Sequence, residues 1–408
     1  MKDFQKNGLI MVVLTTLASG INYLCQIGLG RVMSIASFGV MNSLFSLILV
    51  LSVPGTSVNM LAARQVAQRS GSVDACAATA YRLRLASFYI GCGLMCTILL
   101  VCVPLGKMLE AHPVMILLTG FAVVLSFFPS VISGILTGRE AFLTAGLFSL
   151  IVPIIKALGI GTAMLFPSEA VQQFAVMSAI ILGNLIAIIA GKRILFPNGN
   201  KKPKDMASAH TEIPITMIAV NFLYLLFSNG DIFLVTACFG SEQAGIYSAS
   251  MLFGRVLFFF TTAVVSVLLP YVSKANGNGQ DFAQVFCNAL LVTLLVSAIG
   301  FVPINLFPDF FIQLLYGENY LPAVPYVPYS CVVAIFASLL NLELNCFIGL
   351  GKERRMLIHL AAALVILLLA VFLFHQSIPT LLVILAAILG ALVLIELPVC
   401  WRGRIDPF

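Results

Sequence analysis

Stretches of about twenty apolar residues recur along the whole chain, separated by short polar segments. A helix needs ~20 apolar residues to cross a hydrocarbon core ~30 Å thick. Lipid offers no hydrogen bonds to an exposed backbone, so such stretches must be helical. Charged residues make up only 9% of the chain, against about 25% in soluble domains, too few to give a chain of this size a polar surface. A β-barrel would read as weak alternating segments of ~10 residues, whereas these runs are long and continuous. The expected fold is therefore an all-α integral membrane protein.

Twelve spans are expected, at residues 8–30, 38–62, 85–106, 114–137, 143–166, 173–195, 213–239, 245–271, 283–307, 326–350, 356–375 and 379–400. The first of these continues to about Gly30, too long for the 7–15-residue apolar core of a secretory signal. If the amino terminus is cytoplasmic and each span crosses, 18 of the 22 basic residues fall in cytoplasmic segments. Only Arg31 and Lys107 fall outside, and Lys156 and Arg255 lie within spans. Retention of basic loops in the cytoplasm produces this asymmetry. It places both termini there and identifies a multi-pass protein of the cell membrane. The net charge of +6 is accounted for by these loops, with no nucleic-acid partner.

The polar segment 198–212 contains Lys201, Lys202, Pro203 and Lys204 and has six spans on either side. It reads as a cytoplasmic linker between an N-terminal lobe (1–197) and a C-terminal lobe (213–408). The lobes resemble each other. Gly138-Arg139-Glu140 follows the fourth span of the first, and Gly351-Lys352-Glu353 follows the fourth span of the second. Ser37-Phe38-Gly39-Val40-Met41 corresponds to Gln243-Ala244-Gly245-Ile246-Tyr247 at a similar offset. Six spans per lobe makes the lobes parallel repeats around a central cavity, an arrangement found in alternating-access transporters.

Five charges fall inside spans: Lys156, Asp231, Arg255, Glu343 and Glu396. A charge at the bilayer centre costs about 2.5–3.5 kcal/mol on insertion scales, which makes such residues functional candidates. Counted from the turn at Gly240–Gly245, Asp231 and Arg255 sit about 14–15 Å deep on neighbouring antiparallel helices, where they could form a structural ion pair or hold a substrate. Lys156 lies at similar depth in the other lobe. Asn22 and Gln26 form an i,i+4 polar stripe, extended by Ser19, suited to a cavity face or a helix contact. Asp231 and Glu343 are candidates for proton or cation coupling. Glu396 is close enough to its helix end to reach water, and Gly134 with Gly138 suggests close helix packing. The ten cysteines lie mostly in apolar runs and read as small buried filler. No phosphate-binding loop, nucleophile elbow or zinc signature is present, and no enzyme, metal or cofactor is expected.

Asn229-Gly230-Asp231-Ile232, Gly245-Ile246-Tyr247-Ser248-Ala249 and Leu269-Pro270-Tyr271-Val272-Ser273 resemble the seventh and eighth helices of polysaccharide-exporter flippases. Gly30-Arg31 followed by Phe38-Gly39 resembles their first helix and turn. That family belongs to the multidrug, oligosaccharidyl-lipid and polysaccharide exporter superfamily. The resemblance implies transfer of undecaprenyl-pyrophosphate-linked oligosaccharide from the inner to the outer leaflet, by alternating access, for polysaccharide biosynthesis. It implies an anionic lipid head group as ligand, membrane lipids as surroundings, and the pathway's glycan polymerase and glycosyltransferases as partners. Lys156 and Arg255 would then clamp the pyrophosphate. The alternative is a cation- or proton-coupled drug or metabolite exporter of the same fold.

Overall fold

The computed structural model describes residues 2–68, 73–195, 215–277 and 283–401. Linker 198–212 lies outside them. The chain divides into two compact units, Met1–Pro214 and Ile215–Phe408.

Unit 1 contains α1 (Lys2–Val32), α2 (Ile35–Leu51), α3 (Val53–Gln68), α4 (Val73–Met108), α5 (Pro113–Gly138), α6 (Phe142–Ser149), α7 (Ile151–Ala163) and α8 (Glu169–Leu195). Unit 2 contains α9 (Ile215–Asn229), α10 (Asp231–Gly277), α11 (Ala283–Leu306), α12 (Pro308–Tyr316), a 3-10 segment (Glu318–Tyr326), α13 (Val327–Leu350), α14 (Glu353–Phe374) and α15 (Ile378–Trp401). No strand occurs among the described residues. Nine helical stretches of these residues are long and apolar enough to cross a membrane, or ten when α2 and α3 count as one bent span.

That figure is close to twelve for a geometric reason. One of the nine is a 47-residue stretch, Ile215–Thr261, about 70 Å if straight and too long for one crossing. It reverses at Gly240, whose φ of 85° and ψ of 172° are non-helical. The Tyr247 hydroxyl reaches the Asp231 carboxylate, although sixteen residues of straight helix would separate them by about 24 Å. The stretch is a hairpin and supplies two crossings. The 31-residue α1 adds another.

Prolines account for the two broken spans. Pro54 cannot donate to the carbonyl four residues back, and the span bends by 40° between α2 and α3. Pro153 has the same effect, and α6 gives way to α7 at Leu150. Pro153 itself stands about one turn before Lys156. Arg82 and Arg84, expected in a loop, lie on α4, whose 36 residues exceed the membrane thickness and extend the third span beyond it.

Lipid tails are as apolar as leucine, so burial of apolar surface does little to hold membrane helices together, and close packing must do so. The fourth span of each unit is the hub. In unit 1, α5 packs on α3, α4 and α8; in unit 2, α13 packs on α10, α11 and α15. Glycine permits the tightest approaches. A Cβ at Gly134 would stand 2.2 Å from the Asn59 carbonyl oxygen on α3, and one at Gly138 2.5 Å from that of Ala63. In unit 2 the glycine sits on the other helix: a Cβ at Gly254 of α10 would stand 2.7 Å from the Ser330 carbonyl oxygen of α13. A polar bond crosses each seam as well, Asn59 Nδ2 to the Ser130 carbonyl at 3.0 Å and Ser250 Oγ to Ser330 Oγ at 3.0 Å. The Gly-basic-Glu turns after the two hubs differ in detail, with positive φ at Glu140 in one and at Gly351 in the other.

Outward faces carry large apolar side chains, including Leu100 (83% exposed) and Phe372 (78%), as lipid-facing surfaces require. Gly134→Leu should force α5 off α3 and destabilise unit 1 by about 1–3 kcal/mol, the usual cost of overpacking. Thermal unfolding of the detergent-solubilised protein measures this, and Gly93→Leu, at a position with open space around its Cα, is the control that should change little.

Candidate functional site

The α9–α10 hairpin and α13 enclose a polar cavity inside unit 2. Ser228, Asn229, Asp231, Tyr247, Arg255 and Ser330 supply its polar lining, and Met251, Phe258, Val333 and Ala337 its apolar walls. The space open to water centres is about 40 Å³, enough for a few waters. Gly230 shapes the entry to the hairpin: a Cβ there would stand 2.2 Å from the Leu226 carbonyl oxygen. α9 ends at Asn229, and Asp231 opens α10 by accepting a hydrogen bond from the Ile232 N–H at 3.0 Å through Oδ1. Its other oxygen accepts from the Tyr247 hydroxyl. Both residues are buried.

Arg255 lines the same cavity, near enough for its charge to act on Asp231. The hairpin register nevertheless sets Tyr247, not Arg255, opposite Asp231. The second leg begins directly after Gly240 rather than at Gly245, which puts Arg255 eight residues, about 12 Å, beyond Tyr247. Helical side chains lean toward the amino terminus of their helix, and this brings the guanidinium back into the cavity that Asp231 shares. Asn229 Nδ2 donates to Ser228 Oγ at 3.1 Å, and Tyr224 donates to the Ala337 carbonyl at 3.1 Å, tying α9 to the hub.

In unit 1, α7 carries Lys156, 8% exposed, with its Nζ 4.0 Å from the centroid of Phe45 on α2. A buried ammonium over an aromatic face gains cation–π attraction. Gln26 Nε2 donates to Asn42 Oδ1 at 3.4 Å, three residues before Phe45 on α2. Asn22 donates to the Ala18 carbonyl of its own helix at 3.2 Å, and Ser19 to Thr15 at 3.1 Å. Of the expected stripe, Gln26 makes the contact to a second helix, while Asn22 and Ser19 bond along α1.

Glu343 of α13 is fully buried. Asn341 and Asn345 bond each other at 3.0 Å one turn apart. Glu396, expected to reach water, is fully buried as well. His359 of α14 contacts one of its oxygens, and Arg355 Nε stands 3.4 Å from the other. The sequence reading missed Tyr247, Phe45, Asn42, His359 and Arg355. Tyr247 stood in a recognised motif, but only the hairpin register reveals its partner. No group of three or more His, Cys, Asp or Glu among the described residues could hold a metal ion. The nine cysteines described are free thiols.

Residues 28–325 match the family described as "Polysaccharide biosynthesis protein", and the chain belongs to that family. No functionally curated protein matches it in sequence. Among solved structures it is similar to an inward-facing multidrug resistance MATE family transporter of the MOP superfamily, with a TM-score of 0.74 and 11% identity over 97% of both chains. An outward-facing MATE transporter gives 0.68 and 13% identity over 98% of this chain and 94% of that one. A MOP superfamily transporter from Pyrococcus furiosus, reported for the reverse polarity of its binding pocket, gives 0.64 and 16% identity, again over 98% and 94%. The two-lobe, all-α fold is thus that of the MOP transporters.

Tyr247→Phe should leave one Asp231 oxygen without its donor and cost about 1.5–3 kcal/mol, the range for a hydrogen bond to a charged group. A double-mutant cycle with Asp231→Asn, read by thermal unfolding, should be clearly non-additive. Additive effects would mean that the two side chains do not interact.

Proposed function

We propose that this transporter moves a lipid-linked oligosaccharide with an anionic pyrophosphate head group from the cytoplasmic to the outer leaflet for polysaccharide biosynthesis. The observation that carries the reading is Arg255: a guanidinium on the wall of a polar cavity within the spans, beside the hydroxyl and amide groups of Ser228, Asn229 and Ser330. Guanidinium binds phosphate oxygens through paired donors. A pyrophosphate cannot cross hydrocarbon with its charges bare, so it needs cations at depth, and Lys156 in unit 1 is the second basic residue placed within a span. The family description, which refers to polysaccharide biosynthesis, agrees with this substrate class. Asp231 and Tyr247 position Arg255, and Gln26 with Asn42 provides polar lining near Lys156. Glycosyltransferases that build the glycan and a polymerase that consumes it are the partners such a reaction requires.

Arg255→Gln and Lys156→Gln should each reduce translocation of fluorescent pyrophosphate-linked glycolipid in proteoliposomes by at least about tenfold, roughly the loss of one charge-assisted contact. The same proteoliposomes should show no uptake or efflux of cationic dyes. Dye transport without glycolipid transfer would favour the exporter alternative, and full glycolipid transfer by the double variant would end the clamp.

The basic loops give this reading its orientation, with both termini and segment 198–212 in the cytoplasm. Lys202→Cys in intact cells should resist a membrane-impermeant thiol reagent and react once the cells are opened. Labelling before opening would invert the map.

A further inference from the structure

The end of unit 1 that the basic loops assign to the cytoplasm carries a cleft with two cations on its walls. α4 and α8 both pack on α5 and touch each other little, which leaves a groove between them. Phe128 and Ile132 of α5 form its floor, Ala80 and Arg84 of α4 one wall, and Ile188 and Lys192 of α8 the other. Each of these pairs is spaced i,i+4 and so shares one face of its helix. α4 enters the membrane at this end and α8 leaves by it. Helical side chains lean toward the amino end of their helix, so Arg84 leans out toward the aqueous edge while Lys192 leans in toward the cleft. Arg84 is half-buried and Lys192 exposed. Among the described residues no carboxylate lines the cleft, and neither cation has an ion pair or a hydrogen bond.

Two unpaired cations beside apolar walls call for an amphipathic anion. The interior of the cleft is narrow, with about 20 Å³ open to water centres, so such a ligand must leave its bulk in the bilayer and present only a head group. The bilayer is at hand. α4 is the least buried of the nine candidate spans among the described residues, and Leu85, Phe88 and Tyr89, next along it from Arg84, are exposed. Basic pockets between helices at the cytoplasmic surface suit anionic lipid head groups. A guanidinium takes phosphate oxygens through paired donors, and an ammonium adds a point charge. We propose that this cleft binds one anionic glycerophospholipid of the adjacent leaflet, its phosphate between Arg84 and Lys192 and its acyl chains along the exposed face of α4. The cargo of the proposed transport reaction is a different ligand: its cations, Arg255 and Lys156, lie within the spans, whereas this cleft opens at the membrane edge. The bound lipid ties the exposed α4 to α8 across the groove.

The test uses the purified full-length protein in neutral detergent and needs neither cargo nor sidedness, so its outcome is independent of the glycolipid reading and of the topology. Thermal unfolding titrated with phosphatidylglycerol should show saturable stabilisation, and native mass spectrometry should show one retained lipid. Phosphatidylcholine, whose head group carries a positive charge, should give neither. Arg84→Gln and Lys192→Gln should each weaken the phosphatidylglycerol response about fivefold, roughly what one basic residue contributes near a membrane surface, and the double variant should lose the retained lipid. Arg84→Lys keeps the charge and should keep most of the response, which separates lost binding from lost folding. Arg139→Gln, at an exposed basic residue of the same end outside the cleft, should bind as the wild type does. The proposal fails if the double variant retains phosphatidylglycerol, or if Arg139→Gln loses it equally. Equal stabilisation by inorganic phosphate would make the cleft a free-anion site. A polyprenyl pyrophosphate that binds more tightly than phosphatidylglycerol, and is lost in the same double variant, would make it a port for the cargo. Either result overturns the phospholipid assignment.

Discussion

Every polar group inside a bilayer must find its partner within the protein, and the rest of this structure follows from that constraint. Backbone groups meet it by forming helices. Small hydroxyl and amide side chains meet it by bonding one turn back along their own helix, as Ser19, Asn22 and Ser57 do. These bonds keep polar side chains in apolar helices without committing them to a neighbouring helix. Two of the polar bonds that do cross to a second helix, Asn59 to Ser130 and Ser250 to Ser330, lie on the seam between the second and fourth spans of their units. There the glycines already bring the backbones together.

That seam links packing to the site. Gly254 lets α10 approach α13, and the next residue, Arg255, is thereby held at the cavity wall. In unit 1 Pro153, one turn before Lys156, imposes the break at Leu150 that sets the start of the helix carrying that lysine. In both units the backbone feature that shapes a span lies within a turn of the cation that the span carries. Replacing such a glycine or proline would therefore shift the cation as well as loosen the fold.

Much of this was legible in the sequence. The spans followed from length and hydropathy, because the membrane imposes both. The correspondence at Gly138 and Gly351 marked the ends of the two hub helices correctly, since a turn out of the membrane needs the same residue types in either unit. What escaped was register. Taking the eighth span to begin at Gly245 placed Arg255 level with Asp231; the helix starts directly after the positive-φ Gly240, and Tyr247 takes that level instead. A shift of a few residues cannot be read from hydropathy, which is nearly uniform along an apolar helix. Glu396 was misread for a related reason. Its distance from the helix end was right, but burial depends on α13 and α14 packing against it, and spacing along one helix does not report its neighbours.

The two buried acidic sites of unit 2 meet the same constraint in different ways. Asp231 is satisfied inside its own hairpin, by the Ile232 N–H and the Tyr247 hydroxyl, and neither donor can leave unless the hairpin opens. A group satisfied in this way favours one conformation and suits a positioning role beside Arg255. Glu343 has no donor of its own, and Glu396 depends on two side chains that are partly exposed. Such a cluster gains little from staying as it is and responds to whatever reaches its exposed end. The first arrangement gives rigidity beside Arg255, and the second leaves the end of unit 2 near Gly351 the less completely satisfied of the two.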